Sequence, residues 1–170
     1  MRIIAIVGES GTGKSTIAEY IERAYGVMLA RSRTDRPKRS DDDTGHIFIT
    51  RSEFDAIPKE DRIAYCEYGG YRYCTTPADL TKENTYVIDE RGFNELCERF
   101  ERAEIIGVRV LAREETVIAR GTPSERIERD AGQFTLPYAN FDHVIRNDSS
   151  LEDLYARVDE IMRAHGYEKA

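Results

Sequence analysis

The chain has 170 residues, 40% of them hydrophobic and 34% charged, with a net charge of −7. That length suffices for one compact domain with a substantial core. The acidic balance disfavours a general binder of nucleic-acid polymers, and no run approaches the roughly 18 apolar residues of a membrane span.

Residues 2–7, "RIIAIV", are nearly all apolar, the pattern of a strand buried on both faces of a parallel sheet. Their length and β-branching do not suit a signal peptide. Residues 14–25 carry apolar positions at helical spacing, with Gly26 as the stop. Residues 27–30 predict a second, short strand. Arg31, Arg33, Arg36, Lys38 and Arg39 then form a cation cluster that can focus positive potential inside an acidic protein. "DDDTG" reads as a solvated turn and not as a metal site, "HIFIT" as a strand, and "SEFDAI" as a short helix capped by Ser52. "IAYCEY" and "YRYCT" form a hairpin across Gly69-Gly70. In "TPADLTKE", Thr76 caps a helical turn that Pro77 opens.

"TYVIDE" is a buried-strand pattern ending at Asp89, followed by the helix "FNELCERFE" and the apolar strand "IIGVRVLA". Residues 113–130 read as arginine-rich helix broken at "RGTP". "DHVIRN" is a last strand and "LEDLYARVDEIMRAHG" a closing amphipathic helix. Strand–helix alternation at both ends implies a parallel α/β core, and the hairpin-rich middle is an insertion on it. The scattered Cys66, Cys74 and Cys97 argue for a reducing cytoplasm and against a disulfide frame or a zinc site.

Directly behind the first strand lies "GESGTGKST". Gly8, Gly13, Lys14 and Ser15 fit the phosphate-binding pattern G-x-x-x-x-G-K-[ST], with a strand before it and a helix after it as the motif requires. Its glycines let backbone N–H groups converge on phosphate oxygens, and the helix N-terminus adds positive potential. The expected ligand is a nucleoside triphosphate held along Gly8, Glu9, Ser10, Gly11, Thr12, Gly13, Lys14, Ser15 and Thr16. Lys14 is expected on the β- and γ-phosphates and Ser15 on Mg²⁺.

Further segments, in order, resemble guanylate kinase over nearly the whole chain. "GESGTGKST" is similar to that family's phosphate loop, and "SRTDRP" to its R-x-x-R segment. "EYGGYRYCT" resembles E-x-x-G-x-Y-Y-G-T, "VIDERG" resembles D-I-D-V-Q-G, "ARGTPSERIERD" the lid segment, and "FDHVIRNDSSLEDLY" the closing segment. The resemblance implies a three-layer α/β phosphate-loop kinase core around a parallel sheet (1–31, 84–111, 139–170). An inserted monophosphate-binding subdomain (32–83) and a helical lid (112–138) complete a single domain, and these two move toward each other on binding.

The family's roles, carried onto matching positions, imply that Arg33 and Arg36 grip the acceptor's monophosphate with their guanidinium forks. Tyr73 adds a hydroxyl there. Glu67 reads the N1–H and 2-amino edge of guanine, with Gly70 in the turn and Thr75 near the base. Asp89 stands near the magnesium and the acceptor phosphate. Arg120 and Arg129 close over the triphosphate, although a small deletion in the lid lets Arg126 take the second position. Read without the resemblance, the same arginines suit a solvated charged face, Asp89 suits a helix cap, and Tyr71 and Tyr73 suit a plain hairpin.

Departures from the family pattern bear on the base. The Ser/Thr-rich run before the first arginine is "LARS", Leu29 to Ser32, so a base-reading hydroxyl is expected to be missing. His46 stands where a phosphate-binding tyrosine falls, which makes that contact sensitive to protonation. Val87 replaces the first aspartate of D-I-D, and Cys74 a glycine. The resemblance therefore implies an enzyme that phosphorylates GMP or dGMP from ATP with Mg²⁺ and has small-molecule nucleotides as partners, in the cytoplasm. Ribose 1,5-bisphosphate or a broader set of deoxynucleoside monophosphates are alternative acceptors. A non-catalytic guanylate-kinase-like binding module is a third reading, opposed by the intact loop. The oligomeric state is left open by the sequence.

Overall fold

The computed structural model describes all residues, Met1 to Ala170. The chain runs β1 (Arg2–Gly8), α1 (Lys14–Tyr25), β2 (Met28–Leu29), β3 (Arg33–Thr34), β4 (Ile47–Phe48) and α2 (Arg51–Asp55). It continues with β5 (Ile63–Tyr68), β6 (Tyr71–Thr75), β7 (Glu83–Ile88), α3 (Glu90–Arg99), β8 (Glu104–Leu111) and α4 (Glu114–Ala119). The last elements are α5 (Ser124–Asp130), β9 (His143–Arg146) and α6 (Leu151–Ala164). Five strands form one sheet in the order β2-β7-β1-β8-β9, and every pair in it is parallel. No helix is long and apolar enough to cross a membrane.

β1 lies at the centre of this sheet, and Ile3 to Val7 are essentially fully buried. Alternation along the strand sends Ile4 and Ile6 to the face covered by α1 and α6, where Ile17, Ile21, Leu154, Val158 and Met162 close the layer. Ile3, Ala5 and Val7 face the other way, toward Phe93 and Leu96 of α3 and Phe141. The burial of both faces explains why β1 reads as a continuous apolar run.

The insertion forms a second sheet, ordered β4-β3-β6-β5. β5 and β6 are the expected hairpin, and Gly69 and Gly70 turn between them with φ of 60° and 77°, the left-handed pair that a two-residue turn requires. A bulge falls between Ile63 and Cys66, with Ala64 at φ 51° and its N–H held by the Glu95 carboxylate at 3.1 Å. Several local readings shift. Thr50, and not Ser52, caps α2, because Thr50 and Glu53 form a reciprocal capping box. "HIFIT" pairs only over Ile47 and Phe48. "TPADLTKE" makes one 3-10 turn, Pro77–Asp79, capped by Thr76 as its sequence predicts. The region 113–130 is two helices with the break at Gly121–Pro123.

Candidate active site

The phosphate loop joins β1 to α1 at the carboxyl end of the parallel strands. Gly13 has φ of 99°, and a Cβ there would lie 2.4 Å from the Asn147 amide nitrogen, so neither backbone nor space admits another residue. Asn147, just past β9, donates its amide to the Thr12 carbonyl at 2.8 Å and ties the loop to the last strand. Lys14 Nζ donates to the Glu9 carbonyl at 2.7 Å. Burial lowers the Lys14 ammonium to about 8, with the Asp130 carboxylate opposing that shift. Ser15 is exposed, and its hydroxyl has no protein partner, so it is free to meet a cation on a bound triphosphate.

Two cavities meet at this loop. One, of about 460 Å³, is walled by Gly11, Gly13, Ser15, Thr16 and Arg120 together with Asn147. Arg120 donates to the carbonyls of Gly11 at 3.2 Å and Asn147 at 2.8 Å, which sets the first lid helix against the loop. The other, of about 390 Å³, lies between the loop, the inserted sheet and the lid. Lys14 lines both.

The second cavity gathers Arg36, His46, Tyr73, Asp89 and Arg129 from the expected set. Arg36 is 7% exposed; it donates to the Asp43 carboxylate and the Pro37 carbonyl, each at 2.9 Å, while its Nε is buried with no partner. That Nε is sealed from solvent, so an anionic oxygen reaches it only if the surrounding side chains move. Ser32 Oγ lies 2.9 Å from His46 Nδ1, and burial together with the Arg36 charge lowers the His46 imidazole. Asp89 caps α3 by accepting the Gly92 N–H at 2.7 Å, while its other oxygen faces the Tyr68 hydroxyl at 3.3 Å. The cap reading and the cavity reading of this residue are therefore compatible.

Other expected residues lie elsewhere. Arg33 stays outside the cavity because its guanidinium is held in bidentate fashion by Asp79, at 2.6 and 2.8 Å, on the opposite face of β3 from Ser32 and Thr34. Glu67 is exposed and bonded to the Tyr65 hydroxyl; it does not line the arginine-lined cavity but an adjoining one, which shares Cys66, Tyr68, Asp89, Gln133 and Phe134 with it. Gly70 is at the exposed hairpin tip. Thr75 is fully buried and takes part in a 2.6 Å hydrogen bond donated by the Tyr86 hydroxyl. Of "LARS", Ser32 lines the cavity, with its hydroxyl beside His46.

The structure also adds residues. Arg39 lines the second cavity, beside Arg126, which the sequence already offered as the alternative to Arg129. Arg109, inside the strand read as apolar, is 4% exposed; its guanidinium lies 4.3 Å from the ring centre of Phe134, a wall of that cavity. Only its charge within an apolar run signalled it. Cys66 also lines the cavity, and burial pushes its thiol up to about 12, so it is not a nucleophile at neutral pH.

The parallel sheet order, the glycine loop between β1 and α1, and the insertion and lid facing each other across it define a phosphate-loop kinase. The fold is that of guanylate kinase from Anaplasma phagocytophilum, with a TM-score of 0.67 at 19% identity over 96% of this chain and 85% of that one. In sequence the chain is 28% identical to the guanylate kinase of Fusobacterium nucleatum, over 74% of each chain. It is 26% identical to that of Thermotoga maritima over 96% of this chain and 86% of the relative. No protein-family model matches the chain. In sequence and in fold the chain is similar to guanylate kinases.

Proposed function

We propose that the chain transfers the γ-phosphoryl of ATP to GMP or dGMP. The observation that carries this reading is that Lys14 lines two cavities, one against the loop and its helix, the other rich in arginine. A donor triphosphate in the first and an acceptor monophosphate in the second would meet at that ammonium. The acceptor's phosphate is already ionised at neutral pH, so no general base is needed. Alignment and charge neutralisation carry the reaction.

Lys14 binds the donor phosphates, and Arg120 orients the donor from the lid side. Arg36 grips the acceptor phosphate, with Tyr73 and His46 as further donors. Arg39 is a second guanidinium for the same group. Arg129 or Arg126 faces the group in transfer. Ser15 would hold Mg²⁺, whose chemistry is to neutralise charge on the donor's phosphates, while Asp89 lies on the acceptor side. Arg33 and Glu67 join this set only if closure of the insertion turns them inward.

A second reading is favoured by one observation, that Glu67 lines the adjoining cavity and not the arginine-lined one. Without that carboxylate the cavity lacks its guanine reader, which suits ribose 1,5-bisphosphate or a wider range of deoxynucleoside monophosphates. ADP release from ATP–Mg²⁺ across GMP, dGMP, AMP, CMP, UMP, dTMP and ribose 1,5-bisphosphate separates the readings. GMP or dGMP is expected to dominate. Activity confined to ribose 1,5-bisphosphate or to a non-guanine nucleotide favours the second reading. Silence across the panel with ATP still bound removes both.

A further inference from the structure

Asp130 ends α5, and it is 6% exposed although it is charged and belongs to the lid. Its Oδ2 accepts the backbone N–H of Ser10, inside the phosphate loop, at 2.7 Å. Its Oδ1 accepts Arg129 Nε at 2.7 Å and lies 2.6 Å from Arg129 Nη2. Arg129 Nη2 also donates to Ser10 Oγ at 3.0 Å, and its guanidinium stands 5.0 Å from the ring centre of Tyr68 in the insertion. Lid, loop and insertion are thus joined through one carboxylate and its arginine. Burial opposes ionisation of Asp130, but the bonds from Ser10 and Arg129 outweigh it and hold the carboxyl below its ordinary range.

A carboxylate on a loop N–H makes the same kind of contact that a phosphate oxygen makes there. We infer that Asp130 is a positioning residue that occupies the end of the phosphate loop facing the second cavity, where the donor's terminal phosphate would enter past Lys14, and holds Arg129 until a triphosphate displaces it. Two anions cannot share Ser10 and the nearby Lys14 in a partly desolvated site without strong repulsion. Donor binding therefore expels Asp130, and its departure frees the Arg129 guanidinium for the incoming phosphates. Arg129 reaches the reaction centre only when there is a donor to act on. This inference rests on the proposed phosphotransferase reading.

The test is the affinity of a non-hydrolysable ATP analogue with Mg²⁺, measured by calorimetry on wild-type protein and on Asp130→Asn. The asparagine is nearly isosteric but brings no competing charge. The expected result is tighter binding by about fivefold or more, the scale of one charge-assisted contact. In steady state the KM for ATP falls in the same variant, whereas a purely structural role would raise KM and lower the melting temperature. A second measurement needs no variant. The Arg129 Nε–H resonance of wild-type protein is expected to shift when the analogue binds, as its carboxylate partner leaves. Equal or weaker analogue binding by Asp130→Asn overturns the inference, as does an Arg129 resonance that does not move. Failure of both proteins to bind the analogue overturns the phosphotransferase reading and the inference with it.

Discussion

The five-stranded sheet buries whole strands, whereas the four-stranded sheet of the insertion keeps few apolar residues and relies on paired charges. Ile3, Ile4, Ile6 and Val7 are within 1% of full burial between two helical layers. In the insertion, Phe54, Ile63 and Cys74 are the fully buried apolar residues, and Arg33–Asp79, Arg72–Asp35 and Arg36–Asp43 pair across 2.6, 2.7 and 2.9 Å. Apolar burial is non-directional and sums over area, so the core is a stiff base for the donor loop. Ion pairs with one partly exposed member contribute less, and their partners can be exchanged for a ligand's phosphate. The proposed donor site is built on the first kind of structure and the proposed acceptor site on the second.

Removing the cation shared by both sides gives the largest expected effect. Lys14→Ala should lower kcat by about two to three orders of magnitude, the scale for losing one pre-positioned charge-stabilising donor. Its melting temperature should not fall, because a partly desolvated ammonium is lost. The same group predicts a pH dependence. Its ammonium is at about 8 in the free protein, below its ordinary value of 10.5, and a bound triphosphate favours the charged form. Analogue affinity should therefore be flat from pH 7 to about 8, then fall about tenfold per pH unit above it, with proton uptake seen by calorimetry in buffers of different ionisation heat. The stability contribution has the opposite sense: the charged, buried form costs stability below about 8, and that cost is relieved as pH rises toward 10.5.

Two arginines that are equivalent in sequence spacing should separate in experiment. Arg36→Ala should raise the acceptor KM about tenfold to a hundredfold, for a charge-assisted bond of about 1.5–3 kcal/mol. Arg33→Ala should instead leave the acceptor KM within about twofold and lower stability by about 1–3 kcal/mol, because Asp79 is left buried without its partner. Kinetics and urea denaturation of both variants check the pair, and an inverted result would mean that closure exchanges Arg33 from Asp79 to the acceptor. The smallest change is expected for Glu67→Gln, within about threefold in KM for GMP, as for an exposed carboxylate with no buried partner. A tenfold rise would show that the hairpin rotates Glu67 into the cavity when the acceptor binds.

Much of the donor side was legible in the sequence. α1 spans the residues its periodicity marks, and the loop lies between strand and helix as its motif demands. The acceptor side was legible as a set of elements but not as a set of contacts. The hairpin and its glycine turn follow from local preferences. The direction of each arginine follows from strand alternation and from carboxylates far along the chain. Arg33 finds Asp79 46 residues on, and Arg72 finds Asp35 37 residues back. Asp130 carried no signal at all, being one more acid at the end of a charged helix.

By itself the sequence determined the phosphate loop, the buried strand behind it and the parallel core interrupted by a hairpin. These rest on backbone preference, glycine geometry and hydrophobic period, which act over a few residues. Only the tertiary structure decided which guanidinium faces the cavity, where Glu67 points and which anion rests on the loop. Those outcomes depend on long charged side chains choosing among partners that the fold alone brings within reach.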